Sequence, residues 1–291
     1  MARLAVIDGV VYAPSDAKIS VYDRGFLYGD SVFETLRTYG GRAFAVDEHL
    51  DRLERSLAAL AIALPASRAV LTAELMDALL RADNTESYAR LMVTRGQGAL
   101  GLDPALAHAA TRVLLVEPLT MPPLASYLRG IRVRCIRTVR ASDAAHSAKL
   151  ANYLASALAL RDARQAGADE ALVVDRAGLV IEGTTSNVFA VVGDRLVTPA
   201  VEAGILDGIT RHHVIATARE LGMDVELASL APAALAESRE VFITSTLREI
   251  LPVSEVDGHR VGAGARGPVT EALHRAFRRR VGAPWVFGGD P

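Results

Sequence analysis

The sequence predicts an α+β protein of two domains. Many of its strand-like apolar segments are joined by short glycine-containing turns, which is typical of hairpins rather than of repeated strand–helix–strand units. Amphipathic helical patterns occur in both halves of the chain. An aperiodic stretch that contains a Pro-Pro pair, residues 118–130, separates the halves. We therefore expect a small α/β domain over 1–120, an interdomain loop over 121–130 and a larger domain over 131–291.

The first domain begins with two hairpin patterns, whose turns are Asp8-Gly9 and Gly40-Gly41. A leucine repeat between Leu50 and Leu60 then indicates an amphipathic helix, because its spacing places the leucines on one helical face. The predicted elements are strands 4–7, 10–12, 31–39 and 43–46, helices from about 47 and over 68–81, and strands 88–94 and 112–117.

The second domain mixes strands and helices in the same way. Gly222 follows a helical pattern as a C-terminal capping residue would. The predicted elements are strand 131–139, a helix from about 147, strands 170–175, 179–181, 188–192 and 195–198, helix 209–221, strands 224–227 and 240–244, and a closing helix from about 267.

The composition excludes several classes of function. With a net charge of -2, the chain has no electrostatic preference for nucleic acid or for an anionic membrane. No segment approaches the roughly 20 apolar residues that a membrane span requires. The single cysteine, Cys135, rules out an intramolecular disulfide and favours the cytoplasm. No spacing of His, Cys and carboxylates predicts a metal site, and the adjacent His212 and His213 would point about 100° apart on a helix.

The glycine-rich stretch Gly96–Gly101 matches the dinucleotide-binding pattern G-x-G-x-x-G. That pattern requires a helix directly after the glycines. Here Asp103-Pro104 follows, and a new strand is predicted from about Arg112, which leaves too little chain for a crossover helix. A glycine-rich loop is the better interpretation.

Lys149 is conspicuous because lysine is rare in this chain. Of 32 Lys+Arg residues, only Lys18 and Lys149 are lysines. Unlike arginine, a buried lysine can lose its proton and attack a carbonyl group. Lys149 is therefore a candidate for a Schiff base, although drift in an arginine-rich composition explains the count equally well.

Other residues complete the requirements of pyridoxal phosphate, which needs an amine, an acid for its pyridine nitrogen and donors for its phosphate. Lys149 supplies the amine, and Glu182 follows a predicted strand and supplies the acid. Residues 208–210 open a helix whose free N–H groups suit a phosphate. Thr246 and Arg52 add a hydroxyl donor and a positive charge.

Six stretches of the chain together resemble the class IV aminotransferase family. The most specific runs from Glu182 to Arg211 and ends in Gly204-Ile-Leu-Asp-Gly-Ile-Thr-Arg. The resembling stretches are 28–37, 49–53, 149–154, 182–189, 196–198 and 204–211. The resemblance implies a fold-type IV enzyme that depends on pyridoxal 5′-phosphate, with a small N-terminal domain and a larger C-terminal domain built on a mixed, barrel-like sheet.

The resemblance also assigns roles. Lys149 would bind the cofactor covalently and transfer the proton, Glu182 would pair with the pyridine nitrogen, and Tyr153 would bond the phenolic oxygen. The remaining cofactor-binding residues by resemblance are Arg52, Asn187, Leu206, Ile209, Thr210 and Thr246, of which Leu206 would pack on the ring and Arg52, Ile209, Thr210 and Thr246 would hold the phosphate.

Each of these residues has a simpler alternative. Lys149 could be a solvated residue at a helix start, and Glu182 an exposed acid in a turn. Arg52 could pair with an acid on its own helix, Glu48 or Glu54. Thr246 could be a cap, and Tyr153 a core residue.

The sequence indicates the substrate less clearly than the cofactor. Tyr88-Ala-Arg90 and the loop 98–104 resemble branched-chain amino-acid aminotransferases, which implies transfer between an L-branched-chain amino acid and a 2-oxo acid such as 2-oxoglutarate. Leu247-Arg248 replaces a pair that is usually small, which could narrow the pocket or add a cation. The expected substrate-binding residues are Tyr28, Phe33, Arg37, Tyr88, Arg90, Leu247 and Arg248.

Two other activities remain open. Residues 23–30 resemble D-amino-acid aminotransferases, which brings in D-amino-acid or (R)-amine transaminases, but the Arg-x-His of those enzymes is missing after Thr94-Arg95-Gly96. The segment 33–37 also resembles 4-amino-4-deoxychorismate lyases. A member that binds the cofactor without turnover is a further alternative. The resemblance implies a homodimer or higher oligomer, in which Tyr28 and the loop 98–103 would serve the partner's site.

Overall fold

The structure, a computed structural model, describes residues 2–137 and 148–288. They form two compact units. The first unit comprises residues 2–120 together with 148–153, and the second comprises 121–137 and 154–288. The expected domain boundaries stay a prediction, but the segment 148–153, which we expected in the large domain, groups with the first unit.

The first unit is an antiparallel sheet with helices. Its strand order is β2-β1-β6-β5-β3-β4, and the two predicted hairpins are its β1–β2 and β3–β4 pairs. Its elements are β1 (Leu4–Ile7), β2 (Val10–Tyr12), α1 (Arg24–Tyr28), β3 (Ser31–Tyr39), β4 (Arg42–Ala43), α2 (Val46–Ala59), α3 (Arg68–Ala82), β5 (Ser87–Thr94) and β6 (Thr111–Pro118).

The two faces of this sheet differ because side chains alternate along a strand. Val32 and Leu36 of β3 lie with Leu91 and Val93 of β5 in a core that includes Leu53 of α2. Phe33 and Arg37 of β3 and Tyr88 and Arg90 of β5 occupy the alternate positions and point to the opposite face.

Lys149 lies in an extended segment, not at a helix start. Its carbonyl oxygen accepts a hydrogen bond from Phe33 N (3.0 Å), and Ala151 N donates to Ser31 O (3.0 Å). Helix α5 begins only at Leu154, whereas we expected it from about residue 147, which lies outside the described residues. The helix starts late because backbone groups of Lys149 and Ala151 are hydrogen-bonded to β3 and are not available for helical hydrogen bonds.

The second unit contains one mixed sheet of nine strands within the described residues, curled into a half-barrel. The order is β12-β11-β10-β13-β14-β7-β8-β9, with β15 on β14. The pairs β11–β12, β14–β7 and β7–β8 are parallel and the others antiparallel. The elements are α4 (Leu124–Arg129), β7 (Ile131–Arg137), α5 (Leu154–Gln165), β8 (Glu170–Val174), β9 (Val180–Gly183), β10 (Asn187–Val192), β11 (Arg195–Thr198), α6 (Ile209–Glu220), β12 (Asp224–Leu227), α7 (Pro232–Ala236), β13 (Glu240–Ser245), β14 (Glu249–Val256), β15 (His259–Arg260) and α8 (Pro268–Arg280).

The α+β architecture is confirmed, but two local expectations are wrong. The expected interdomain loop contains helix α4, which buries Tyr127 completely and is too short to show a period. Strand β14 was not predicted, because Pro252 lies within it and proline usually marks the edge of a sheet.

The glycine-rich loop is followed by a short 3-10 turn, Pro104–Leu106, and then by β6, so the structure has no crossover helix there. Within the described ranges, no helix has both the length and the apolar character needed to cross a membrane.

Candidate active site

The Lys149 side chain is placed by strand β3 and helix α2. Its backbone N–H donates to Ser56 Oγ of α2 (3.1 Å), and its Nζ lies 4.5 Å from the centroid of the Phe33 ring. Burial and the positive charge of Arg52 lower the pKa of Lys149 to about 8, against the opposing effect of Glu34. A lysine with this pKa is partly neutral near physiological pH, as a nucleophilic amine must be.

A buried carboxylate, Glu34, holds Arg52 in place. Arg52 donates from Nε to Oε1 and from Nη2 to Oε2, each at 2.7 Å, and His49 Nδ1 lies 2.7 Å from Oε2. Burial alone would raise the pKa of Glu34, but the charge and hydrogen bonds of Arg52 and His49 lower it to about 2. Arg52 therefore has a bidentate partner on β3, a residue we had not considered for this role.

The expected substrate-binding residues of β3 and β5 share one face of the sheet. Arg37 lies opposite Tyr88, and Thr35 lies opposite Arg90. Directly opposed residues point to the same side, so Phe33, Arg37, Tyr88 and Arg90 form one patch. The Phe33 ring also packs edge to face on Tyr153, with 5.4 Å between centroids, so the hydroxyl-bearing ring adjoins the same patch.

Arg90 has no carboxylate partner among the described residues. Its guanidinium lies 3.8 Å from the centroid of Phe33, and its Nε is buried without a hydrogen-bond partner. Among residues 2–137 and 148–288, we find no ion pair or hydrogen bond to its side chain. Arg37, by contrast, donates from Nε to Thr38 O (3.2 Å) and stacks on Tyr39.

Tyr28 lies at the end of α1 and is joined to the glycine-rich loop. Its hydroxyl accepts a hydrogen bond from Gly101 N (3.0 Å). Arg24 donates to the carbonyl oxygens of Gly101 (2.8 Å) and Leu102 (3.1 Å). The structure thus brings together the two segments that we expected to serve a partner's site.

In the second unit, Glu182 and Asn187 both bind the loop that precedes α6. Glu182 Oε2 accepts a hydrogen bond from Leu206 N (2.9 Å), and Asn187 Nδ2 donates to Leu206 O (2.8 Å). Both side chains are at least nine-tenths buried, so Glu182 is not an exposed turn acid. Leu206 is fixed at both its amide and its carbonyl.

The N-terminus of α6 is open to an anion. Its N-cap is Gly208, which provides no capping side chain, and its first turn contains no acid. The N–H groups of Ile209 and Thr210 therefore face no capping group, which suits a phosphate. A Cβ at Gly208 would lie 2.0 Å from Asn187 Oδ1, so a larger residue here would displace the Asn187 amide.

Thr246, Leu247 and Arg248 form the turn between β13 and β14. The Arg248 side chain forms an ion pair with Glu170 (Nη1 to Oε2, 2.6 Å). Arg248 is therefore paired and does not add a free cation, as we expected it could. Glu170 was not predicted from the sequence, and nothing in its local pattern indicates a role.

The described residues fit pyridoxal 5′-phosphate by their chemistry. They include a lysine amine of lowered pKa, a buried carboxylate that accepts hydrogen bonds, and an uncapped helix N-terminus. These are the groups that the cofactor's aldehyde, pyridine nitrogen and phosphate require.

Known proteins resemble this chain over nearly its whole length. The sequence profile "Amino-transferase class IV" matches residues 31–256. The chain is 39% identical over 274 residues, 94% of each protein, to the "Putative branched-chain-amino-acid aminotransferase" of Methanocaldococcus jannaschii. It is 32% identical over 284 residues, 95% of this chain and 96% of the other, to the D-alanine aminotransferase of Bacillus licheniformis.

Among solved structures, the T.th. branched-chain amino acid aminotransferase complexed with N-(5′-phosphopyridoxyl)-L-glutamate has a TM-score of 0.90 and 31% identity, covering 97% of this chain and 94% of that one. The profile alone spans well over half of the sequence. The chain therefore belongs to the class IV aminotransferase family and is an aminotransferase that uses pyridoxal 5′-phosphate.

Proposed function

We propose that this enzyme transfers the amino group between an L-branched-chain amino acid and a 2-oxo acid such as 2-oxoglutarate. The observation that carries the proposal is Arg90, an arginine stacked on Phe33 and lacking a carboxylate partner among the described residues. The names of the Methanocaldococcus jannaschii relative and of the T.th. structure support the same substrate class.

Arg90 can recognise one end of a dicarboxylate. A guanidinium offers donors in a planar fork that matches a carboxylate, and the aromatic ring beneath it fixes its orientation. Phe33 and Tyr153 provide apolar surface on the same patch. One patch would therefore accept the side-chain carboxylate of 2-oxoglutarate and, in the other half of the reaction, an aliphatic side chain.

The proposal assigns each remaining residue a task. Bound pyridoxal 5′-phosphate supplies an aldehyde and a ring that withdraws electrons. Lys149 would hold the cofactor through its side-chain amine and would move the substrate's proton through Nζ. Glu182 would pair with the pyridine nitrogen and keep a proton on it. Arg52, Ile209, Thr210 and Thr246 would hold the phosphate, Tyr153 would bond the phenolic oxygen, and Leu206 would pack on the ring. Asn187 binds the carbonyl oxygen of Leu206 and would fix the loop that presents this residue.

We further propose that the enzyme is a cytoplasmic homodimer. Phe26 of α1 and Leu100 and Leu102 of the glycine-rich loop are exposed apolar side chains. Hydrogen bonds from Arg24 to the loop join α1 and the loop. A second copy would cover this surface, and light scattering at micromolar concentration tests the assembly. Phe26→Glu should yield a monomer if the surface is the interface.

A half-reaction screen tests the substrate. The holoenzyme is mixed with L-leucine, D-alanine or (R)-1-phenylethylamine, and the visible absorbance of its bound cofactor is followed. L-leucine should bleach it at the lowest concentration, and D-alanine and the amine should bleach it weakly or not at all. Faster bleaching by D-alanine would contradict the proposal and favour the second candidate, a D-amino-acid aminotransferase, to which residues 23–30 and the Bacillus licheniformis relative point. Release of pyruvate from aminodeoxychorismate would instead identify a lyase.

Replacement of Arg90 tests the carboxylate assignment. Arg90→Gln should raise KM for 2-oxoglutarate about 10–100-fold, the value of one or two charge-assisted hydrogen bonds, and change KM for the monocarboxylate 2-oxoisocaproate only a few-fold. Steady-state kinetics with both acceptors measure the difference. Arg3→Gln, which removes an exposed arginine of the same unit, is the control. An equal loss for both acceptors would show that Arg90 does not read the second carboxylate.

A further inference from the structure

The turn between β13 and β14 is held from several directions within the second unit. The Arg248 carbonyl accepts a hydrogen bond from the buried Tyr127 hydroxyl (3.0 Å). Glu249, the next residue, has a φ of +56°, a left-handed conformation that costs a non-glycine residue about 1–2 kcal/mol. Its buried carboxylate is bound by His274 and Arg278 of α8. A turn with so many fixed points is built to hold one conformation.

The Arg248 side chain uses all three of its nitrogens within the protein. Nη1 donates to Glu170 Oε2 (2.6 Å), Nη2 donates to Thr185 Oγ1 (2.8 Å), and Nε donates to Ser245 Oγ (3.1 Å). Glu170 is almost fully buried, and its other oxygen accepts hydrogen bonds from Thr184 Oγ1 and Ala171 N. Arg248 is thus bonded to acceptors on three parts of the chain: β8, the 184–186 turn and the end of β13.

Two of these parts adjoin proposed cofactor ligands. Thr184 and Thr185 lie between Glu182 and Asn187, and Ser245 immediately precedes Thr246. Each tie to Arg248 therefore restrains the backbone next to one of these residues. Removing the ties would detach the Thr246 turn from the 184–186 turn, while the hydrogen bond from Tyr127 and the pairing of Ser245 with Glu249 would remain.

We propose that Arg248 is a positioning residue, which locks the Thr246 turn to the 184–186 turn so that Thr246 is preorganised for an anion. This inference rests on the proposed assignment of Thr246 to the phosphate. Arg248 acts through the turn and does not itself bind the anion, since its guanidinium is committed to Glu170, Thr185 and Ser245.

Replacing Glu170 distinguishes a positioning role of Arg248 from direct anion binding, because the two roles predict opposite changes in anion affinity. If Arg248 bound the anion directly, Glu170→Gln would remove a competing negative charge and strengthen anion binding. If Arg248 positions the turn, Glu170→Gln weakens anion binding as Arg248→Ala does, and the double variant is no worse than either single one.

The measurement is calorimetric titration of the full-length apoenzyme with inorganic phosphate and with pyridoxal 5′-phosphate. We expect Arg248→Ala and Glu170→Gln each to weaken both affinities about tenfold, the effect of one charge-assisted hydrogen bond. Arg248→Lys, which can keep the Glu170 contact alone, should recover part of the loss. Arg239→Ala, which breaks an exposed pair with Asp194 in the same unit, is the control and should leave both affinities unchanged.

Three outcomes overturn the inference. Tighter phosphate binding by Glu170→Gln would make Arg248 a direct ligand. Unchanged affinities in Arg248→Ala, with a lowered unfolding temperature, would make the ion pair merely structural. Unchanged phosphate affinity in Thr246→Val would remove the assignment on which the inference rests, and this variant distinguishes that failure from failure of Arg248 alone.

Discussion

Each unit of this enzyme contains a buried cluster of one glutamate, one histidine and one arginine. In the first unit Glu34 binds His49 and Arg52, and in the second Glu249 binds His274 and Arg278. Both carboxylates are fully buried, and the shortest contact to each histidine is 2.7 Å. We call the first the Glu34 cluster and the second the Glu249 cluster.

The clusters differ in their backbone and in what they hold. Glu34 lies in the middle of a nine-residue strand, in ordinary extended conformation. Its negative charge raises the pKa of Lys149, against the larger lowering effects of burial and Arg52. Glu249 lies in the left-handed region at the end of a turn. The same three side chains therefore serve two ends: one cluster fixes a cation near the reactive lysine, and the other stabilises a strained turn.

The largest effect is expected at the lysine beside the Glu34 cluster. Lys149→Ala should lower turnover by about a thousandfold or more, because proton transfer and cofactor bonding are both lost. Visible absorbance of the bound cofactor should disappear with it. In the wild-type apoenzyme, the rate of cofactor capture should rise with pH through about 8, where the pKa of Lys149 lies. Lys18→Ala is the matched control, and retained turnover in Lys149→Ala would refute the assignment.

Truncation of either carboxylate tests whether both clusters are equally needed for stability. Glu34→Ala and Glu249→Ala should each reduce the free energy of unfolding by about 3–5 kcal/mol, because a buried arginine loses its partner. Urea denaturation measures the loss. Glu117→Ala, which removes an exposed partner of Arg3, should cost at most about 1 kcal/mol. A loss at Glu34 or Glu249 as small as the control would mean that water replaces the carboxylate.

Acid should destabilise both clusters through their histidines. Burial, before any other cause, lowers the pKa of His49 and of His274, and the second ring nitrogen of each is buried without a partner among the described residues. As pH falls below 6.5, the unfolded chain takes up protons that the folded chain refuses, so stability declines. We expect about 1 kcal/mol per histidine between pH 6.5 and 5.5.

Amide replacements check this acid sensitivity. His49 uses Nδ1 and His274 uses Nε2, so His49→Asn and His274→Gln keep a donor in each position but cannot titrate. Denaturation at pH 7.5 and pH 5.5 should show a smaller difference in these variants. An unchanged difference would place the acid sensitivity elsewhere.

The smallest effect is expected from comparing glycine with alanine at positions 34 and 249, where the difference in stability should have opposite signs. At position 34, glycine should be less stable than alanine by about 0.5–1 kcal/mol, because glycine weakens a strand. At position 249, glycine should be more stable than alanine by about 1 kcal/mol, because only glycine adopts a positive φ without strain. Comparing the Gly and Ala variants at each site cancels the lost carboxylate. The same sign at both positions would contradict a left-handed Glu249.

Much of the fold was predictable because it depends on local pattern. The Asp8-Gly9 and Gly40-Gly41 turns and the leucine repeat of α2 identify their elements directly. Helix α4 and strand β14 were not predictable, because one has fewer than two turns and the other contains Pro252. For Glu34 a signal did exist, since it occupies a core-facing position between Val32 and Leu36 in a predicted strand.

By itself, the sequence determined the chemistry of this protein: a rare lysine, a following acid and an uncapped glycine-led helix, within motifs long enough to identify the family. Only the tertiary structure decided the pKa values and the fixed positions of those groups. Glu34 lies 18 residues from Arg52, Glu170 lies 78 residues from Arg248, and Ser56 lies 93 residues from Lys149. The geometry and charge that shift a pKa or fix a turn come from such distant neighbours, and the local pattern does not say which residues will meet.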